Sequence, residues 1–202
     1  MKLWSSTMSP FVRKVSVTIV HHNLQSQIEV LNTKAADPNA PHNQDNPLGR
    51  IPALQLQNGE WLFGSLVISE YLDSIGENST LFPQNESKFK ALGLHSLVDG
   101  IMENTMPMAV ERMMRPESEW WNSRHQQLIE RNQRSFRYLA ERLSTIGEDL
   151  NIGTITLTAL IDWYAFRENV IGYSLNDIAP ELVQWAEKMN EKYTALSATK
   201  PC

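Results

Sequence analysis

The sequence predicts a small mixed α/β unit followed by an all-helical one. Strand-like and helix-like segments alternate over about the first 80 residues, in the order β-α-β-(α)-β-β-α. From Gln84 onward the strand signals stop and only helical stripes remain. Mixed elements followed by a run of helices argue for two separately cored parts. The pattern lapses at Leu81-Phe82-Pro83-Gln84-Asn85, which places the domains at 1–80 and 85–202.

Lys2 to Ser5 reads as a short buried strand. After Ser9-Pro10, residues Val12, Val15, Ser16, Ile19 and Val20 fall on one helical face. Pro10 suits the first turn of that helix and Ser9 suits its cap. Ile28 and Val30 alternate with polar neighbours, as in a second strand; the helix between supplies the crossover that a parallel pair needs. Thr33 to Asp45 is polar, holds two prolines and reads as a loop with one short helix. Ala53 to Gln57 alternates, Asn58-Gly59 is a strong hairpin signal, and Trp61 to Phe63 returns. Ser65 is expected to cap a helix with Ile68, Tyr71, Leu72 and Ile75 on its apolar face, ended by Gly76.

In the second part, Leu94, Leu97, Val98 and Ile101 form one stripe, and Ile129, Phe136, Leu139, Ala140 and Leu143 another. Leu157, Leu160, Ile161, Tyr164 and Ala165 form a third, and Leu182, Trp185 and Met189 a fourth entered through Pro180. Thr156 is expected to cap the third helix, as half of a capping box that lacks an acid at Ala159. Met102, Met106, Met108, Met113 and Met114 lie beside Trp120 and Trp121, as core packing or as a soft wall for varied apolar substrates. A kink at Pro107 would open such a pocket.

The totals exclude several classes. Hydrophobic residues make up 42% and charged residues 20%, an ordinary globular balance. A net charge of -5 argues against nucleic-acid binding. Cys202 is the only cysteine, so no internal disulfide is possible, which fits a reducing, cytoplasmic setting. The opening residues lack the apolar core of a signal peptide, and no segment approaches the roughly 18 apolar residues of a membrane span. His21, His22, His42, His95 and His125 show no ligand spacing, so no metal is expected.

Four segments, in order, carry a family resemblance: Ser9-Pro10-Phe11-Val12-Arg13-Lys14-Val15, Asn46-Pro47-Leu48-Gly49-Arg50-Ile51-Pro52, Leu62-Phe63-Gly64-Ser65 running into Ile68-Ser69-Glu70-Tyr71-Leu72, and Thr156-Leu157-Thr158-Ala159-Leu160. Over essentially its whole length the chain resembles the glutathione-transferase superfamily, in particular bacterial members with a Ser-Pro-aromatic-Val-Arg-Lys motif. The resemblance implies a thioredoxin-like N-terminal domain that holds glutathione as co-substrate, an all-helical C-terminal domain, and a homodimer that detoxifies small apolar electrophiles. It departs from the family at Gly64, where an acidic residue is usual, and at Ala159, where an aspartate is common.

A free thiol has a pKa of about 8.5, so little of it is the nucleophilic thiolate at neutral pH. Lowering that by about two units takes roughly 2.7 kcal/mol. A hydroxyl donor at a helix N-terminus, where orphan amides add partial positive charge, supplies part of it. Ser9 is the candidate activator, with Ser5, Ser6 and Thr7 as neighbouring competitors and plain capping as its simpler role. The resemblance implies a cis Ile51-Pro52 bond, with the Ile51 backbone pairing the ligand as an added strand. It implies that Ser65 takes the γ-glutamyl carboxylate. Lys34 and Arg50 are candidates for the glycyl carboxylate, and Phe11 for a wall. Gly64 is still a candidate glutathione-binding residue through its backbone, but it cannot pair the ligand's ammonium, and Asp99 of a partner subunit is a candidate substitute; its plainer reading is a solvated helix charge. The alternative left open is a non-catalytic binding or regulatory protein of the same fold, or a subunit that uses it only to dimerise.

Overall fold

The computed structural model describes residues 1–201, so Cys202 lies outside the described residues. Strands β1 (Lys2–Ser5), β2 (Glu29–Asn32), β3 (Ala53–Gln55) and β4 (Trp61–Phe63) form one mixed sheet in the order β2-β1-β3-β4. β1 runs parallel to β2 and antiparallel to β3, and β3 pairs antiparallel with β4. The crossover between β1 and β2 is α1 (Pro10–His21); a short α2 (His42–Asp45) lies in the loop before β3, and α3 (Ser65–Ser74) follows β4. The hairpin at Asn58-Gly59 forms, with Gly59 at φ +89°, yet β3 ends at Gln55 because Leu56 to Glu60 make up the turn. β2 is an edge strand, and its Val30 is exposed rather than inward as the alternation implied.

The helical part contains α4 (Glu86–Met114), α5 (Asn122–Ala140), α6 (Leu143–Ile146), α7 (Ile152–Phe166), α8 (Glu168–Ile171), α9 (Pro180–Lys192) and α10 (Thr194–Ser197). α4 stays helical on both sides of Pro107. α7 is buried along almost its whole length and packs chiefly on α4 and α1. Its cap is not Thr156. Asn151 accepts from the Gly153 and Thr154 amides, and Thr154 Oγ1 accepts the Asn151 N–H at 3.0 Å, a full capping box. Thr156 lies inside the helix and donates to the Ile152 carbonyl. The helix starts one turn early because Asn151 is the stronger cap.

One core, with Leu3, Val15, Ile19, Leu54, Ile68 and Leu72, lies between the sheet and helices α1 and α3. The second fills the helical part and takes in Val17, Phe11 and Val20 from α1 and Leu66 from α3. α1 is therefore buried on two sides, one against the sheet and one against the helices, where the sequence showed a single apolar face. Met102 and Met108 belong to the second core, Met106 packs partly against it, and Met113, Met114 and Trp121 are exposed. Tyr164, fully buried there, has its hydroxyl tied to Thr105 and Asn132, and burial raises its pKa.

Candidate functional site

Register brings the predicted residues to one end of the sheet. Trp4, Ala53 and Phe63 are aligned across three strands, and Ser5 pairs with Asn32 on the fourth. Just beyond this row lie the β1–α1 loop with Ser9, the loop after β2 with Lys34, the Ile51-Pro52 approach to β3, and Gly64-Ser65 entering α3. Cavities of about 500 Å³ beside Trp185 and about 320 Å³ beside Tyr193 lie elsewhere.

Ser9 is the N-cap of α1, half-buried, and its Oγ accepts the Val12 N–H at 3.3 Å. Capping uses the oxygen as acceptor and leaves the hydroxyl hydrogen to donate outward. Ser5 is buried in β1, Ser6 is half-buried and Thr7 is exposed; none of them holds a helix terminus. Phe11 is half-buried, and its ring centroid is 5.0 Å from Lys14 Nζ.

The Ile51-Pro52 bond is cis. Neither the N–H nor the C=O of Ile51 makes a backbone hydrogen bond among the described residues. The loop that presents it is fixed from below. Asn46 donates to the Arg50 carbonyl at 2.7 Å and accepts from Leu48, and buried His42 bridges Thr33 and the Gly49 carbonyl. Trp4 Nε1 donates to Asp45 at 2.7 Å. Lys34 and Arg50 are exposed and make no ion pair among the described residues.

Ser65 is the first residue of α3 rather than its cap. The cap position belongs to Gly64 at φ +84°, a backbone region that glycine enters without strain. Ser65 is buried, and its amide and hydroxyl sit at the helix N-terminus with no hydrogen-bond partner among the described residues. A Cβ at Gly64 would meet nothing within 4 Å, so the obstacle to an acid there is backbone conformation and not space.

Asp99 is half-buried and already paired within its own chain. Its Oδ1 takes Lys14 Nζ at 2.5 Å, and its Oδ2 lies 3.6 Å from His95 Nε2. Burial pushes Lys14 below its ordinary pKa while Asp99 and Glu103 oppose that shift. Burial and then the Lys14 charge push His95 down to about 4, so it is neutral at pH 7. Next to Lys14, Arg13 Nη2 reaches Asp162 at 2.7 Å, Asn190 at 3.2 Å and the Leu196 carbonyl at 3.1 Å. Both buried cations cross from α1 to the helical part and hold the sheet end against it. Sequence reading gave Arg13 and Lys14 no role; the available signal was two adjacent cations set among Val12, Val15 and Val17 in a short helix.

No helix is long and apolar enough to cross a membrane, and no group of three or more His, Cys, Asp or Glu suited to a metal occurs among the described residues.

The family description "Glutathione S-transferase, N-terminal domain" matches residues 8–75. An uncharacterized GST-like protein of Escherichia coli (strain K12), YibF, is 28% identical over 193 residues, spanning 94% of this chain and 93% of that protein. A glutathione transferase family member from Pseudomonas fluorescens Pf-5, solved with bound glutathione, is 28% identical with a TM-score of 0.89 and spans 100% of this chain and 98% of its own. A glutathione S-transferase from Methylobacillus flagellatus KT with glutathione bound is 27% identical, TM-score 0.87, spanning 100% and 99%. The chain thus has the glutathione-transferase fold from end to end, with that superfamily's N-terminal domain matched over residues 8–75.

Proposed function

We propose that this protein is a serine-type glutathione transferase, with residues 1–80 holding glutathione and residues 85–202 shaping the second-substrate side. The observation that carries the reading is the meeting, at one sheet end, of a capping hydroxyl with a free hydrogen (Ser9), an unpaired backbone amide and carbonyl (Ile51) and a buried helix N-terminus (Ser65). Two relatives of similar fold hold glutathione, which supports the choice of ligand.

In this reading Ile51 pairs with the cysteinyl backbone of glutathione and Pro52 fixes the approach of the chain. Ser65 binds the γ-glutamyl carboxylate with its hydroxyl and the first amides of α3. Lys34 and Arg50 approach the glycyl carboxylate, and Phe11 walls the thiol. Ser9 donates to the sulfur and favours the thiolate. The thiolate's electron pair forms a carbon–sulfur bond with a small electrophile of apolar body. In a displacement the leaving group departs with its bonding pair; in an addition, a proton from solvent completes the product. Detoxification in the cytoplasm and a homodimer belong to the same reading, and exposed Leu48, Val67 and Phe89 offer apolar surface to a second copy.

The second reading is a non-catalytic binding protein, and Gly64 favours it. Without an acid there the ligand's ammonium lacks a charged partner, at a cost of about 1.5–3 kcal/mol. Calorimetric titration with reduced glutathione tests the site. Binding in the millimolar range or tighter is expected, weakened about tenfold in Ser65→Ala by loss of one hydrogen bond to a charged group. No heat at two temperatures would remove the transferase reading and leave the fold.

A further inference from the structure

The last turn of α7 stands against the loop that leads into Ser9. Trp163 Nε1 donates to the Met8 carbonyl at 3.2 Å, and Arg167 Nη2 lies 3.2 Å from Met8 Sδ. Met8 directly precedes Ser9, so the Arg167 guanidinium is held beside the loop that presents the proposed thiol activator. It also stacks on the partly exposed Phe166, with Cζ 4.6 Å from the ring centroid.

This guanidinium has donors to spare. A thioether is a weak acceptor and occupies one of five N–H donors. No carboxylate among the described residues lies within ion-pair distance of Arg167. Arg13 has Asp162, Arg142 has Glu141, and Arg112 donates to the Val170 and Ile171 carbonyls. Arg167 alone combines a guanidinium with no carboxylate partner among the described residues, an aromatic face and a place beside the residue that precedes Ser9. The planar fork matches a carboxylate and binds it with two parallel hydrogen bonds.

We propose that Arg167 determines specificity for a second substrate bearing a carboxylate, with Phe166 and Met8 packing on its apolar body. The inference rests on the transferase reading above. It does not alter the chemistry: glutathione sulfur forms the new bond to carbon, and a halide leaves with its electron pair.

The test compares 4-chloro-3,5-dinitrobenzoate with its neutral methyl ester. Each kcat/KM with glutathione is divided by the compound's uncatalysed rate, and the ratio of the two is followed across variants. The wild type is expected to favour the benzoate. Arg167→Gln should reduce the ratio by about 10- to 100-fold, the weight of a charged hydrogen bond. Arg167→Lys, which keeps charge but not the fork, should restore part of it. Arg134→Gln, an exposed arginine on α5, should leave the ratio at the wild-type value. Conjugation of both compounds with a ratio that Arg167→Gln does not move overturns this inference alone. Conjugation of neither by the wild type overturns the transferase reading and this inference with it. Arg167→Lys keeps the test decisive if Arg167→Gln fails to fold.

Discussion

Replacing Arg13 with alanine is expected to destabilise the protein by about 3–5 kcal/mol, the range for breaking a buried ion pair from one side. Arg13 is 3% exposed and its partner Asp162 14%, so the carboxylate left behind stays out of water. Asn190 Nδ2 still donates to Asp162 at 3.0 Å, which recovers part of the loss. The contacts from Arg13 to Asn190 and to the Leu196 carbonyl are lost as well, loosening α9 and α10 from α1. Urea unfolding with a common slope measures the difference. The double variant Arg13→Met with Asp162→Leu separates pairing from packing: removing both charges should regain most of the stability. A single variant within about 0.5 kcal/mol of wild type, the range of an ordinary surface change, contradicts the assignment.

The second large effect is on activity and depends on pH. If Ser9 lowers the bound thiol from about 8.5 to about 6.5, then at pH 6 roughly a quarter is ionised in the wild type and about 0.3% in Ser9→Ala. A thiolate of lower pKa is intrinsically a weaker nucleophile, which offsets about eightfold of that advantage. The net expectation is a loss of about tenfold in kcat/KM at pH 6 and about threefold at pH 7, no difference at about pH 7.6, and a variant about sixfold faster than wild type at pH 9. The shape of the profile carries more information than any single rate. A uniform loss at every pH would assign Ser9 to positioning or capping instead.

Much of the fold was legible because it rests on local signals. Ser9-Pro10 reads as a helix start, Asn58-Gly59 as a turn, and the strand-free second part as helices. The candidate site was legible as a set of positions that the fold brings to one end of the sheet, since its residues sit where strands end. What failed were features decided by tertiary packing or by competing caps. Gly64 took the cap position expected of Ser65 because a positive φ was needed there, and Asn151 displaced Thr156 because it is the stronger cap. The roles of Arg13, Lys14 and Asp99 depend on partners about 80 to 180 residues away, which no local spacing reveals.

One measurement reaches the central claim most directly: a pH titration of the thiolate ultraviolet absorbance of glutathione held on the protein, with Ser9→Ala alongside. The account predicts a midpoint about two units below that of the free thiol for the wild type, returning toward about 8.5 in the variant. A wild-type midpoint equal to that of free glutathione, with binding demonstrated in the same sample, would contradict it.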